Sequence, residues 1–228
     1  MLEQNRLVTI NLLGFDADAA QVLTKSLAER FGIRLAAREH IGGWGVLECD
    51  RSREAIAFAD EARALFAPKA FIGDPFARVV TLLKKRGEKI SFAESCTGGA
   101  LAFCMTAVAG ASEVFDGSLT TYSNRLKTDW LGVTSETLSN FGAVSAECVV
   151  EMALGAIGRT GADHALAISG VAGPSGGTAQ KPVGTVFTGY SNVKGETFAE
   201  AHNFKGSRSM IRKQAVFQAL RLALDRLS

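Results

Sequence analysis

Apolar and polar residues alternate through RLVTINLL (6–13), a period of two that predicts a half-buried strand. ADAAQVLTKSLAERFG (17–32) changes to helical spacing, with Val22, Leu23 and Leu27 on the apolar side and Gly32 as the stop. IRLAA (33–37) and WGVLEC (44–49) read as strands, and SREAIAFADEARALF (52–66) as a second helix. That β-α-β-β-α order predicts a small α+β unit over residues 1–70. APKAFIGDP (67–75) holds two of the four prolines and marks a boundary. Asp74 is placed to cap the next helix with Pro75 at its first position, and Lys84, Lys85, Arg86 and Gly87 close it.

Beyond residue 75 the pattern alternates. Strands are expected for KISFAE (89–94), GSLTTYS (117–123), DHALAIS (163–169) and VGTVFTGY (183–190). Helices are expected for TGGALAFCMTAVAG (97–110), NRLKTDWLG (124–132), SAECVVEMALGAIG (145–158) and the end of the chain from about Ser207. Ser145 is placed to cap the third of these, whose face is Val149, Met152, Ala153, Ala156 and Ile157. The last helix has a polar stripe of Gln214, Gln218, Arg221 and Asp225. Its wide apolar remainder calls for burial against the sheet or a second subunit. The whole is an α/β layer structure preceded by the smaller α+β unit.

Composition narrows the function class. With 228 residues, 47% hydrophobic and 21% charged, the chain has material for a sizeable core. No apolar run reaches the length of a membrane span, and MLEQNRLVTINLLG lacks the parts of a signal peptide, so a cytoplasmic protein is expected, away from membranes. A net charge of +2 gives no nucleic-acid surface. GGWG (42–45) fits the GxxG of an RNA clamp, but it lies between two strands and reads better as a hairpin turn. Cys49, Cys96, Cys104 and Cys148 are widely separated, as are His40, His164 and His202, so neither metal nor disulfide framework is expected.

Three stretches carry candidate chemistry. SFAESCTGGALAF (91–103) turns from strand to helix, where unpaired N–H groups and the helix dipole concentrate positive potential. Ser95 or Thr97 could be a plain N-cap there, the turn could cradle a phosphate, or Ser95 could be a nucleophile. In the last case Gly98 and Gly99 would let a transition state approach the backbone around Cys96 to Gly98. No histidine sits in a partner motif. TTYSNRLK (120–127) instead offers Tyr122 and Lys127, and a desolvated lysine is the general base of a Ser–Lys pair, although Lys127 also reads as a solvated helix residue. AISGVAGPSGGTAQKPVGTVF (167–187) supplies Ser169 at a strand end and glycines at 170, 173, 176, 177 and 184 in a loop able to wrap a ligand.

Together AESCTGG, GxLTTYSNRLK, FGAVSAE, ISGVAGPSGG, KPVGTVF and FKGSRSMIR resemble the C-terminal domain of the CinA competence/damage-inducible family, from about residue 75 to 228. The resemblance implies a CinA C-terminal-type fold. It also implies an amidohydrolase that needs no cofactor and deamidates nicotinamide mononucleotide (NMN) to nicotinate mononucleotide and ammonia. It makes Ser95 the nucleophile and Lys127 its base, with Tyr122 holding Lys127 or sharing proton transfer. Cys96, Thr97, Gly98, Gly99, Asn124, Ser169, Gly170 and Gly173 would line the substrate site, and Arg208 and Arg212, one helical turn apart, would meet its phosphate. A homo-oligomer is expected. Ser169 stands where the family usually has threonine, which keeps the hydroxyl. The first 70 residues do not resemble the nucleotide-processing domain of full-length CinA, so its pyrophosphatase activity is not carried over. The alternative is a nucleotide-sensing or scaffolding protein whose pocket binds without turnover.

Overall fold

The computed structural model describes residues 6–228. The chain divides into two compact units, the first ending at Arg78 and the second running from Val79 to Leu227.

The first unit is β1 (Leu7–Leu12), α1 (Ala17–Phe31), β2 (Ala36–Glu39), β3 (Gly45–Asp50), α2 (Arg53–Leu65) and β4 (Ala70–Ile72). All pairings are antiparallel, and the strand order is β2-β3-β1-β4, the split β-α-β arrangement of ferredoxin-like folds. The fourth strand lies inside the 67–75 stretch that marks the boundary in the sequence. Its three residues are too few for periodicity to register. Alternate residues Val8, Ile10 and Leu12 join Leu47 and Cys49 in a core with Ala20, Leu27, Phe58 and Ala62 of the helices. The buried side of α1 is Ala20, Thr24, Leu27 and Ala28, whereas Val22 and Leu23 are exposed. Of the residues expected on its inner face, Leu27 is buried as expected, but Val22 and Leu23 point outward, and the small Ala20 and Ala28 bring the helix onto the sheet. GGWG is the β2–β3 turn, as His40 N–H donates to the Trp44 carbonyl across it. The buried Trp44 indole donates to Asn11 Oδ1 at 2.9 Å.

The boundary helix α3 (Pro75–Arg86) starts where Asp74 accepts from Ala77 N–H. The second unit then follows as β5 (Ile90–Glu94), α4 (Ala100–Thr106), β6 (Phe115–Thr120), α5 (Asn124–Leu131), α6 (Ser135–Asn140), α7 (Ala146–Thr160), β7 (His164–Gly170), β8 (Thr185–Asn192), β9 (Thr197–Asn203) and α8 (Arg208–Leu227). The sheet order is β6-β5-β7-β8-β9; β5 is parallel to both neighbours, and β8 and β9 are antiparallel additions. Every residue of β5 is buried, as a central parallel strand requires.

The faces are dressed differently. Ala93, Ala165 and Ala167 meet Val149, Met152, Ala153 and Ala156 of α7. Small strand residues let this helix lie close, and a Cβ on Gly189 would stand 2.8 Å from the Val149 carbonyl oxygen. Phe92, Leu166 and Ile168 alternate to the other side and are fully buried, where α8 packs on β7 and β8 and α4 packs on α8. The long C-terminal helix thus buries its apolar side against its own sheet. From β5 the chain passes to β6 on one side and then crosses to β7 on the other. The carboxyl end of β5 is therefore a topological switch point, where open α/β sheets bind ligands.

Candidate active site

Ser95 is the first residue past β5, and backbone bonds hold it from both sides. Its N–H donates to the Ile168 carbonyl at 2.9 Å, and Thr121 N–H donates to the Glu94 carbonyl at 2.9 Å. Gly98 N–H donates to the Ser95 carbonyl at 3.0 Å and closes a tight turn. Gly98 and Gly99 follow at φ +59° and +89°, left-handed values that side chains strain to adopt. Helix α4 begins only at Ala100, three residues later than its apolar pattern suggests. Neither Ser95 nor Thr97 caps it. The Glu94 carboxylate does so, accepting from Leu101 N–H at 3.1 Å and Ala102 N–H at 3.0 Å. Those amides are therefore engaged and form no phosphate cradle. The Gly98 amide is likewise committed, so an oxyanion site in this turn draws on the amides of Cys96, Thr97 and Gly99.

Lys127 lies on α5, which Ser123 caps by accepting from Leu126 N–H. Its side chain is 1% exposed, which excludes the solvated alternative. Nζ donates to Ser95 Oγ at 3.0 Å and to the Thr121 carbonyl at 2.8 Å. Burial pushes the ammonium below its usual 10.5, opposed by the neighbouring Cys148 and Cys96. An amine made easier to deprotonate, in contact with a serine hydroxyl, is the arrangement that activates a serine for attack. Burial raises the neighbouring Cys96 thiol to about 11, leaving it protonated at neutral pH.

The remaining candidates divide. Tyr122 is 61% exposed, and its hydroxyl accepts from Arg208 Nη2 at 2.9 Å. It was expected to hold Lys127, but the Thr121 carbonyl makes that contact, because β6 ends at Thr120 and the next residue turns back over the lysine. Arg208 also donates to the Gly173 carbonyl at 2.7 Å, and Arg212 donates to the Thr97 carbonyl. Both arginines thus reach loops around Ser95, and Arg212 stands 3.6 Å from where a Gly98 Cβ would be. Ser169 is buried, and its hydroxyl donates to the Ala143 carbonyl at 2.6 Å, tying the end of β7 to the loop before α7. Gly170 is a packing position, since a Cβ there would meet Val186 at 2.6 Å. Asn124 is the exposed first residue of α5. Thr97 and Thr121 carry fully buried hydroxyls without a partner among the described residues.

One residue at the site went unassigned by sequence reasoning: Glu94, the carboxylate that ends β5. Among the described residues no group of three or more His, Cys, Asp or Glu side chains could hold a metal, and no helix is long and apolar enough to cross a membrane.

The CinA C-terminal domain family matches residues 75–227, which include Ser95, Lys127, both loops and both arginines. The chain belongs to the CinA C-terminal domain family. Among relatives, this CinA-family chain is 46% identical to the nicotinamide-nucleotide amidohydrolase PncC of Enterobacter agglomerans over 142 residues, 62% of this chain and 87% of that one. It is 47% identical to the PncC of Escherichia coli strain K12 over 138 residues, 60% of this chain and 84% of the relative. A competence-damaged protein (CinA) superfamily protein of Klebsiella pneumoniae superposes with a TM-score of 0.65 at 38% identity, covering 67% of this chain and 95% of that one.

Proposed function

We propose that this protein deamidates nicotinamide mononucleotide to nicotinate mononucleotide and ammonia by a Ser95–Lys127 mechanism. The observation that carries the reading is the buried 3.0 Å contact between Lys127 Nζ and Ser95 Oγ, in a family whose similar members are named nicotinamide-nucleotide amidohydrolases. Neutral Lys127 takes the Ser95 proton as Oγ attacks the carboxamide carbon. The tetrahedral oxyanion accepts from the amides of Cys96, Thr97 and Gly99, each worth about 3 kcal/mol in comparable hydrolases. Lys127 then returns its proton to the nitrogen, the C–N bond breaks and ammonia leaves. Water, deprotonated by the same amine, hydrolyses the ester and restores Ser95. No step calls on a metal ion, and activity is expected to survive chelation by EDTA.

Arg208 and Arg212 are assigned to the substrate phosphate. Each now donates to a backbone carbonyl that a dianion outcompetes, since charge-assisted bonds are roughly twice as strong as neutral ones. The chemistry is assigned to residues 75–227, so a chain starting at residue 73 is expected to keep it. Incubating the protein with NMN and measuring ammonia tests the activity, and Ser95→Ala tests the nucleophile. Loss of ammonia release with nucleotide still bound supports the proposal. Activity of the alanine variant within about tenfold of wild type rejects it.

A further inference from the structure

Glu94 has no part in the proton transfers above, yet its placement is unusual. The side chain is 0% exposed, and among the described residues its hydrogen-bonding partners are all uncharged: the amides of Leu101 and Ala102 and the Ser118 hydroxyl at 3.1 Å. Capping a helix does not require a buried charge. A serine, threonine or aspartate just before the helix does it at the surface, as Asp16, Ser52, Ser123 and Thr134 do elsewhere in this chain. At α4 the N-cap position is Gly99, which has no side chain, and the acceptor comes instead from the residue immediately before Ser95.

We infer that Glu94 is a positioning residue, which clamps the Ser95–Gly99 turn so that Oγ stays aimed at Lys127 Nζ; this rests on the Ser–Lys reading. Its backbone carbonyl is pinned by Thr121 N–H, and its carboxylate grips the first turn of α4 on one side and β6 on the other. The nucleophile's turn is thus a short loop whose two ends are joined through one side chain. Inside it lie two adjacent glycines at positive φ, the most pliable backbone available. Remove the clamp and that backbone relaxes, carrying Ser95 with it. A displacement near 1 Å costs about 100-fold in rate. No hydrogen bond joins Glu94 to Ser95 Oγ or to Lys127, so its effect passes through geometry.

The test uses Glu94→Gln, the isosteric change. Oε1 accepts two bonds and Oε2 one, so whichever way the amide turns, its NH2 faces a backbone N–H that has lost its acceptor. The rate at which a fluorophosphonate probe labels Ser95, and kcat for NMN per labelled site, should each fall by about 100-fold with KM within about threefold. The ascending limb of the pH–kcat profile, set by Lys127, should stay where it is. A folded variant with wild-type labelling rate and kcat per labelled site would reduce Glu94 to a stability role and overturn the inference. So would a displaced pH limb, which would make it a proton-transfer group. Should Glu94→Gln not fold, Ser118→Ala decides: labelling slowed about threefold to tenfold supports the clamp, and an unchanged rate overturns it. Labelling needs no nicotinamide substrate. A wild type that labels at Ser95 but releases no ammonia from NMN therefore rejects the substrate assignment while the labelling comparison still decides Glu94. A wild type that never labels there overturns both.

Discussion

Two buried polar clusters occupy opposite ends of the same sheet, and they are finished in opposite ways. At the amino end of β7, His164 pairs Nε2 with Glu88 at 2.8 Å and Nδ1 with the Tyr190 hydroxyl at 2.8 Å. Asn192 donates to that hydroxyl and to Glu196, and the His164 hydrogen bond holds the Glu88 carboxyl below its usual range. Both ring nitrogens have partners, and the cluster is closed. At the carboxyl end of β5, Lys127 has a hydroxyl and a carbonyl for company and no carboxylate among the described residues. Burial without compensation is what lowers the lysine's proton affinity. A satisfied network rigidifies a fold, whereas an uncompensated one stores reactivity.

The sharpest way to break this contrast is Lys127→Arg. A guanidinium keeps the charge but stays protonated, so the variant should lose about 10⁴-fold in kcat, as Lys127→Ala should; retained activity would make the lysine an electrostatic anchor only. The pH profile sharpens the point. Because the lysine's pKa is lowered, kcat should climb with pH and level off below 10.5, the usual lysine value. The sign for stability is also set. Between its folded pKa and 10.5 the unfolded chain holds more protons at this site, so Lys127 contributes rising stability as pH increases through that window. Denaturation midpoints of wild type and Lys127→Met across that range should converge as pH rises.

At the other end the expected effect is on folding. His164→Ala removes one partner each from Glu88 and the buried Tyr190 hydroxyl and should cost about 2 kcal/mol, seen in urea unfolding, with kcat per folded molecule nearly unchanged. A large loss of kcat there would erase the distinction between the two ends. The smallest effect is expected for Tyr122→Phe. Its hydroxyl meets Arg208 and not Lys127, so KM should rise about twofold to threefold with kcat intact. A collapse of kcat would restore Tyr122 to the proton path.

Much of this architecture is legible in the chain. The caps by Asp74 and Ser145 and the inner face of α7 follow from local spacing, and the Ser95–Lys127 pairing follows from AESCTGG and TTYSNRLK read with the family resemblance. What was hidden depends on partners far away in sequence or on weak patterns. Strand β9, TFAEAHN, is an edge strand with no fully buried position and no apolar run, and α6, SETLSN, is one polar turn and a half. The face of α1 was misjudged because alanines, not the bulky Val22 and Leu23, pack on the sheet. Tyr122 found Arg208 across 86 residues, which no local spacing reports. The bonds of Glu94 to Leu101 and Ala102 N–H depend on α4 starting at Ala100, which the apolar pattern does not report.

The central claim is covalent chemistry at Ser95, and acid quenching during the first turnover with NMN reads it directly. Mass spectrometry of the peptide carrying Ser95 should find the nicotinoyl nucleotide ester on that hydroxyl, formed together with a burst of ammonia equal to the enzyme present. An ammonia burst with the acyl group on Cys96, or with no acyl group on the protein, would contradict the account.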